Sequence, residues 1–430
     1  MSRNRWNRAA LALLGATALC FPESRQALAE DAAQIRKSLV DRIEASPKSI
    51  FRVLREYNKI ESRAQFDIFE RHGIHTALLA ALREVEGRMI ARVAKAVLKR
   101  PAATEVPMKV LMMKVLIGDK FPGKRKHRVK QLVRLTRNEQ PRIQIWSVRL
   151  LADSRWEESI DALVEILRTE EIEHDAKSLL WNVASGELYR LLGTAAWQGT
   201  TADVIEAHWE KSDKKIPENA DHELLGSKGK TIAFFGDMIS PQSVFVIDSS
   251  GSMGQTATVT RGRPRGKNTV GKDERNGPKK PKIEIVKKEL ERSLSRLQAH
   301  FDFNVVSYDR GIHPWRPGES LRLEKASASN LESAITYAQQ LKPGSGTNIH
   351  AALAAALAVP DVETVYLLSD GAPSVGGGAD AIEKRLAAMN YLRGVRVITY
   401  GFAAEEEGSF DEDLMKRLAR SAWGWYRRLN

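Results

Sequence analysis

Apolar residues recur at three- and four-residue spacing through the first half of the chain. Ile35, Leu39 and Ile43 form one such series, and Ile50, Val53, Leu54 and Tyr57 the next. Pro47, Pro101, Pro107, Pro122 and Pro141 cut the pattern into helix-sized pieces. From Ser243 onward the period changes. Short apolar runs at Val244–Ile247, Phe301–Tyr308, Thr364–Leu368 and Val395–Tyr400 alternate with amphipathic stretches at Ile283–Leu297, Asn330–Leu341, Ile349–Val359, Asp380–Leu392 and Asp411–Ser421. The runs read as buried strands and the stretches as helices, with Ile312–Arg316 and Trp425–Arg427 as edge strands. That alternation predicts an α/β fold with a doubly wound parallel sheet, preceded by an all-α region.

The expected organisation is an N-terminal segment 1–29, a helical domain 30–210, a linker and edge strand 211–240, and an α/β domain 241–430. Within the helical part, the stretch from Arg155 to Leu167 (RWEESIDALVEIL) resembles the second helix of a HEAT-type repeat. An irregular helical bundle is the alternative. Trp181, Trp197 and Trp209 read as packing residues at the end of this region. Gly229-Lys230-Thr231 ends like a phosphate-binding loop. It fails as one, because Leu224 stands where a glycine is required and Ile232–Gly236 reads as a strand rather than a helix.

The first residues have the pattern of a secretory signal. Arg3, Arg5 and Arg8 precede the apolar stretch Ala9–Phe21, and Ala27-Leu28-Ala29 supplies a small-residue cleavage pattern. The apolar part is short for a membrane span. The expectation is a secreted or periplasmic protein without a transmembrane span after cleavage. Lipid attachment at Cys20 ranks lower, because Thr17-Ala18-Leu19 does not fit the usual lipobox. Cys20 is the only cysteine, so cleavage after Ala29 leaves a chain with no disulfide and no thiol chemistry. His72 and His75 form an isolated pair, read as surface or core histidines rather than metal ligands.

Candidate chemistry gathers at the ends of the strands. Asp248-x-Ser250-x-Ser252 follows the first apolar run, Gly344-Ser345-Gly346-Thr347-Asn348 precedes a helix, and Ser369-Asp370-Gly371 follows a central strand. Open α/β sheets bind ligands at the carboxyl ends of their strands, and hard cations take oxygen ligands. In these three loops, taken in order, the chain resembles von Willebrand factor type A (VWA) domains with a metal-ion-dependent adhesion site. The resemblance covers Ser243 to the C-terminus. It implies Mg²⁺ (or Mn²⁺) held by Ser250, Ser252 and Thr347, with Asp248 and Asp370 contacting the ion directly or through water. It further implies a protein partner that presents an exposed acidic residue to the metal, and no enzymatic activity. Helix capping by Ser252 and Thr347 explains part of the pattern but not both aspartates. Ser252 as a nucleophile, with His313 or His350 as base, lacks the Gly-x-Ser-x-Gly turn.

Residues 255–282 stand as an insertion between the first of these loops and the following helix. It holds Arg261, Arg263, Arg265, Lys267, Lys272, Arg275, Lys279, Lys280 and Lys282 against only Asp273 and Glu274. Its glycines and prolines predict a mobile, solvated loop. It reads either as a variable insertion with solubilising charge or as an electrostatic collar, with Arg261, Arg263, Arg265 and Lys267 as candidate partner contacts. The formal net charge of +13 is compatible with anionic partners in general. Nucleic acid is not the expected one, since the loop lacks interleaved aromatics. The alternative is an RNA-binding protein, because the Ro family also joins a HEAT-like region to a VWA domain.

Overall fold

The computed structural model describes residues 22–63, 66–100, 105–174, 178–193, 201–217, 240–258, 279–316, 321–402 and 411–429. These divide into two compact units, one ending at Pro122 and the other beginning at Gly123.

The first unit contains α1 (Pro22–Ala45), α2 (Ile50–Glu61), α3 (Ile68–Arg83), α4 (Gly87–Leu98) and α5 (Val106–Leu116). Helix α1 runs through Ala27-Leu28-Ala29 without a break. The three/four spacing of apolar residues becomes the buried stripe: Leu39, Ile43, Val53, Leu54 and Tyr57 are fully covered. Helix α3 opens with a capping box, Glu70 N–H donating to Asp67 Oδ1 at 2.9 Å and Asp67 N–H to Glu70 Oε2 at 2.7 Å. His75 is a core residue, its Nδ1 2.6 Å from the Tyr57 hydroxyl.

The second unit begins with α6 (Arg125–Leu135), α7 (Pro141–Ser154), α8 (Glu157–His174), α9 (Leu179–Leu192) and α10 (Ala202–Lys211). Trp181 and Trp209 are buried and donate to Glu171 and Asp161, as packing residues do. Trp197 and the expected edge strand at Ile232–Gly236 lie outside the described residues, as does most of the expected linker. The α/β part follows, with β1 (Gln242–Asp248), β2 (Thr256–Thr258), β3 (Lys279–Pro281), α11 (Lys282–Leu294), β4 (Asp302–Tyr308), β5 (Ile312–Pro314), β6 (Glu324–Lys325), α12 (Ala328–Gln339), α13 (Ile349–Ala358), β7 (Thr364–Ser369), α14 (Ala379–Asn390), β8 (Arg396–Phe402), α15 (Glu412–Ser421) and β9 (Tyr426–Leu429).

The main sheet runs β5-β4-β1-β7-β8-β9. Its members from β4 to β9 are parallel, and β5 and β6 pair antiparallel with β4. Helices cover both faces, as the alternation predicts. Phe245 and Ile247 of β1 pack with Val286 and Leu290 of α11, while Val244 and Val246 pack with α13, α14 and α15 through Leu353, Leu386 and Leu418. The chain leaves β1 for β4 on one side and returns to β7 on the other. The carboxyl end of β1 is therefore the point where the winding reverses, the usual ligand crevice of such sheets.

Two expectations need correction. The change from helical to α/β sequence is a change of secondary structure and not of compact unit, since α6–α10 belong with the sheet. Two arginines and two glutamates, all buried, make this join. Arg149 of α7 pairs with Glu187 of α9 and, at 3.0 Å, with Glu363, the residue before β7. Arg396, which opens β8, reaches Glu187 at 2.9 Å. Secondly, the insertion 255–282 is not wholly a solvated loop. Its ends pair as the antiparallel ribbon β2–β3, and Lys282 is buried.

Candidate metal centre

Asp248 is the last residue of β1 and is fully buried. The β1–β7 register sets Ile247 beside Leu368, which brings Asp248 level with Ser369 and one residue short of Asp370. The Ser369 hydroxyl donates to Asp248 Oδ2 at 2.7 Å, and Tyr308 at the end of β4 donates to the same oxygen at 3.3 Å. Asp248 Oδ1 accepts the Ser250 backbone N–H at 2.8 Å, which turns the chain sharply out of the strand. A 3₁₀ turn, Gly251–Gly254, then aims Ser252 back across the crevice. Its hydroxyl lies 3.0 Å from Ser250 Oγ and donates to Asp370 Oδ1 at 2.7 Å.

The threonine loop is tied by backbone contacts to the first loop and to the turn after β4. Gly344 N–H donates to Ser249 O at 2.6 Å, and Asn348 N–H donates to Asp309 O at 2.9 Å. Thr347 is buried and clamped on its backbone by Ser374, whose Oγ accepts its N–H at 2.8 Å and whose own N–H donates to its carbonyl at 3.0 Å. Asn348 caps α13, accepting the Ala351 N–H at 3.1 Å. Gly346 has φ +72°, which favours glycine. At Gly344 an added Cβ would run into the Asp309 carboxylate.

All three loops thus meet at the carboxyl edge of the sheet. Asp248, Ser250, Ser252 and Asp370 are joined by direct hydrogen bonds, and Thr347 is brought in by its loop. Arg261, Arg263, Arg265 and Lys267 lie outside the described residues. His313, a candidate base for Ser252, instead engages Asp309 at 2.8 Å. Sequence reasoning missed Ser369 and Tyr308 as supports of Asp248, and it missed Lys282. Lys282 Nζ sits 2.9 Å from Asp370 Oδ2, both groups being buried. Tyr308 reads in sequence as an ordinary strand residue, and Lys282 as one lysine among many.

The donor set fits a hard divalent cation. It offers two carboxylates, with hydroxyls as neutral oxygen ligands, and no sulfur or imidazole. Electrostatics agree. Burial pushes the Asp248 carboxyl up to about 6, the Ser369 hydrogen bond opposes this, and the charge of Asp370 adds to it. A cation set between Asp248 and Asp370 would offset the cost of the buried Asp248 charge.

No family model matches the chain. Among curated proteins, inter-alpha-trypsin inhibitor heavy chain H2 of Sus scrofa is 26% identical over 148 residues, covering 32% of this chain and 15% of that protein. The human von Willebrand factor A domain-containing protein 3B is 33% identical over 95 residues, covering 22% of this chain and 7% of that one. The α/β part of this chain is a von Willebrand factor A domain. A von Willebrand factor type A structure from Catenulispora acidiphila aligns with a TM-score of 0.34 at 18% identity, covering 44% of this chain and 38% of that one. The chain spans less than a sixth of the length of either curated relative named here. No helix among the described residues is long and apolar enough to cross a membrane.

Proposed function

We propose that the VWA domain recognises a protein partner through a divalent cation, Mg²⁺ or Mn²⁺, and performs no catalysis. The observation that carries this reading is the Ser252–Asp370 hydrogen bond of 2.7 Å, which closes the first and third loops on each other across 118 positions of sequence. Ser250, Ser252 and Thr347 would hold the ion through their hydroxyls, with Asp248 and Asp370 balancing its charge. The bound cation would supply an electrophilic centre for an acidic side chain of the partner. The chain's own residues do the positioning. Tyr308 and Ser369 fix the Asp248 carboxylate, Ser374 fixes Thr347, and the backbone bond from Gly344 to Ser249 keeps two loops in register. A secreted or periplasmic location is supported by the basic, apolar and small-residue pattern of residues 1–29. Affinity capture with the purified chain, in Mg²⁺ or Mn²⁺ against EDTA and with Asp248→Ala as control, tests the reading. Capture that is lost both in EDTA and in the variant supports it. Metal-independent capture that survives the mutation defeats it.

A second reading, binding of RNA, draws on α6. That helix contains Arg125, Lys126, His127, Arg128, Lys130 and Arg134, has no Asp or Glu, and exposes all of these but Arg128. Cations in the first turn of a helix oppose its dipole, so helix stability does not account for the exposed Arg125 and Lys126, whereas Arg134 in the last turn favours it. Binding of single-stranded RNA that weakens steeply with salt, and less steeply in Lys126→Gln/Lys130→Gln, favours this reading. A failure to bind at low salt removes it.

A further inference from the structure

Lys282 is the first residue of α11 and follows directly on the β2–β3 ribbon. Its side chain is 6% exposed, and its Nζ stands 2.9 Å from Asp370 Oδ2. Its backbone is held in place. Lys282 N–H donates to Gln255 O at 2.9 Å, and the adjoining Pro281 pairs with Thr256. The other oxygen of Asp370 accepts from Ser252, so the carboxylate is engaged on one side by a hydroxyl and on the other by an ammonium.

The helix does not ask for a lysine there. A cation in the first turn opposes the helix dipole, and burying an ammonium is costly without an anionic partner. Asp370 is that partner. A divalent cation set against the same carboxylate would face a positive charge a few ångströms away in a poorly solvated crevice, where repulsion is strong. Lysine, unlike arginine, is a compact charge on a flexible stem that can swing aside.

We propose that Lys282 is a tethered competitor for the divalent cation, its ammonium and the metal taking Asp370 alternately. Metal binding then displaces Lys282 from Asp370, and the lysine sets how much free metal is needed to load the site. This inference rests on the metal-dependent reading above.

Calorimetric titration of Mg²⁺ and Mn²⁺ into the full chain, its Lys282→Gln variant and its Lys282→Arg variant tests it. The expected result is an affinity at least tenfold tighter in Lys282→Gln and no tighter than wild type in Lys282→Arg, which keeps the charge but yields the carboxylate less readily. A second readout is the thermal midpoint. Lys282→Gln should melt below wild type in EDTA and recover at a lower Mg²⁺ concentration than wild type needs. Lys282→Met provides the same neutralisation with a side chain that tolerates burial, should the glutamine fold poorly. Equal or weaker affinity in the neutral variants overturns the competition and leaves the metal site intact. No binding by any of these proteins overturns the metal site and the competition together.

Discussion

A single methyl group at Gly344 would collide with Asp309, whose carboxylate is already committed to His313 and to the Gly311 and Ser345 N–H groups. Gly344→Ala is therefore expected to shift the threonine loop away from the Ser249 carbonyl and weaken metal binding tenfold or more, measured by calorimetry, while circular dichroism shows the sheet intact. At this scale the positions of the candidate site were legible in the sequence. Asp248, Ser250, Ser252, Thr347 and Asp370 fall at strand ends and loop starts that hydrophobic patterning locates. The residues supporting them were not. Tyr308 and Ser369 act on Asp248 only because β1 lies between β4 and β7, and strand order is not written in local sequence. Lys282 was hidden for a related reason. A lysine in a run of lysines patterns as solvated, and only the ribbon pairing carries this one onto Asp370.

The strands and helices of the α/β part agree with their sequence signals to within a few residues, because each helix buries a continuous stripe on one of the two faces of the sheet. Helix α13 shows what local chemistry adds. Asn348 accepts the Ala351 N–H, so Asn348→Ala should cost about 1 kcal/mol of stability by urea denaturation and loosen the loop holding Thr347. The ends of the insertion resisted prediction, since β2 and β3 are three residues each and pair across twenty intervening positions. Helices α6–α10 were legible as helices but not as partners of the sheet.

That partnership is the main feature of the second unit as a whole. Arg149 also donates to the Gly394 carbonyl at 2.6 Å, Trp146 to the Leu392 carbonyl at 2.9 Å, and Arg396 to the Trp423 carbonyl at 3.1 Å. Gly186 is glycine because Arg396 occupies the space of its side chain. These contacts gather near the amino ends of β7 and β8, the edge of the sheet opposite the candidate metal centre. The paired charges lie up to 214 positions apart, and each reads locally as surface charge. Removing Arg149 leaves Glu363 buried without its ion-pair partner, so Arg149→Met should destabilise the unit by roughly 3–5 kcal/mol in urea denaturation. Acid should act on the same cluster. Burial raises the Glu187 carboxyl, but Arg190, Arg149 and Arg396 together outweigh it and hold the group at about 2 against an ordinary 4.5. A depressed carboxyl contributes stability that is complete above the unfolded value and is lost as pH falls toward the folded one. The Glu187 contribution should therefore hold down to about pH 4.5 and drain away toward pH 2. Glu187→Gln should flatten that part of the stability profile. The central claim, that three distant loops of the VWA domain make one divalent-cation site, is tested most directly by Mn²⁺ titration of the full chain followed by electron paramagnetic resonance. The account predicts one bound ion per chain, abolished by Asp248→Ala and by Asp370→Ala. An ion bound equally well by both variants would contradict it.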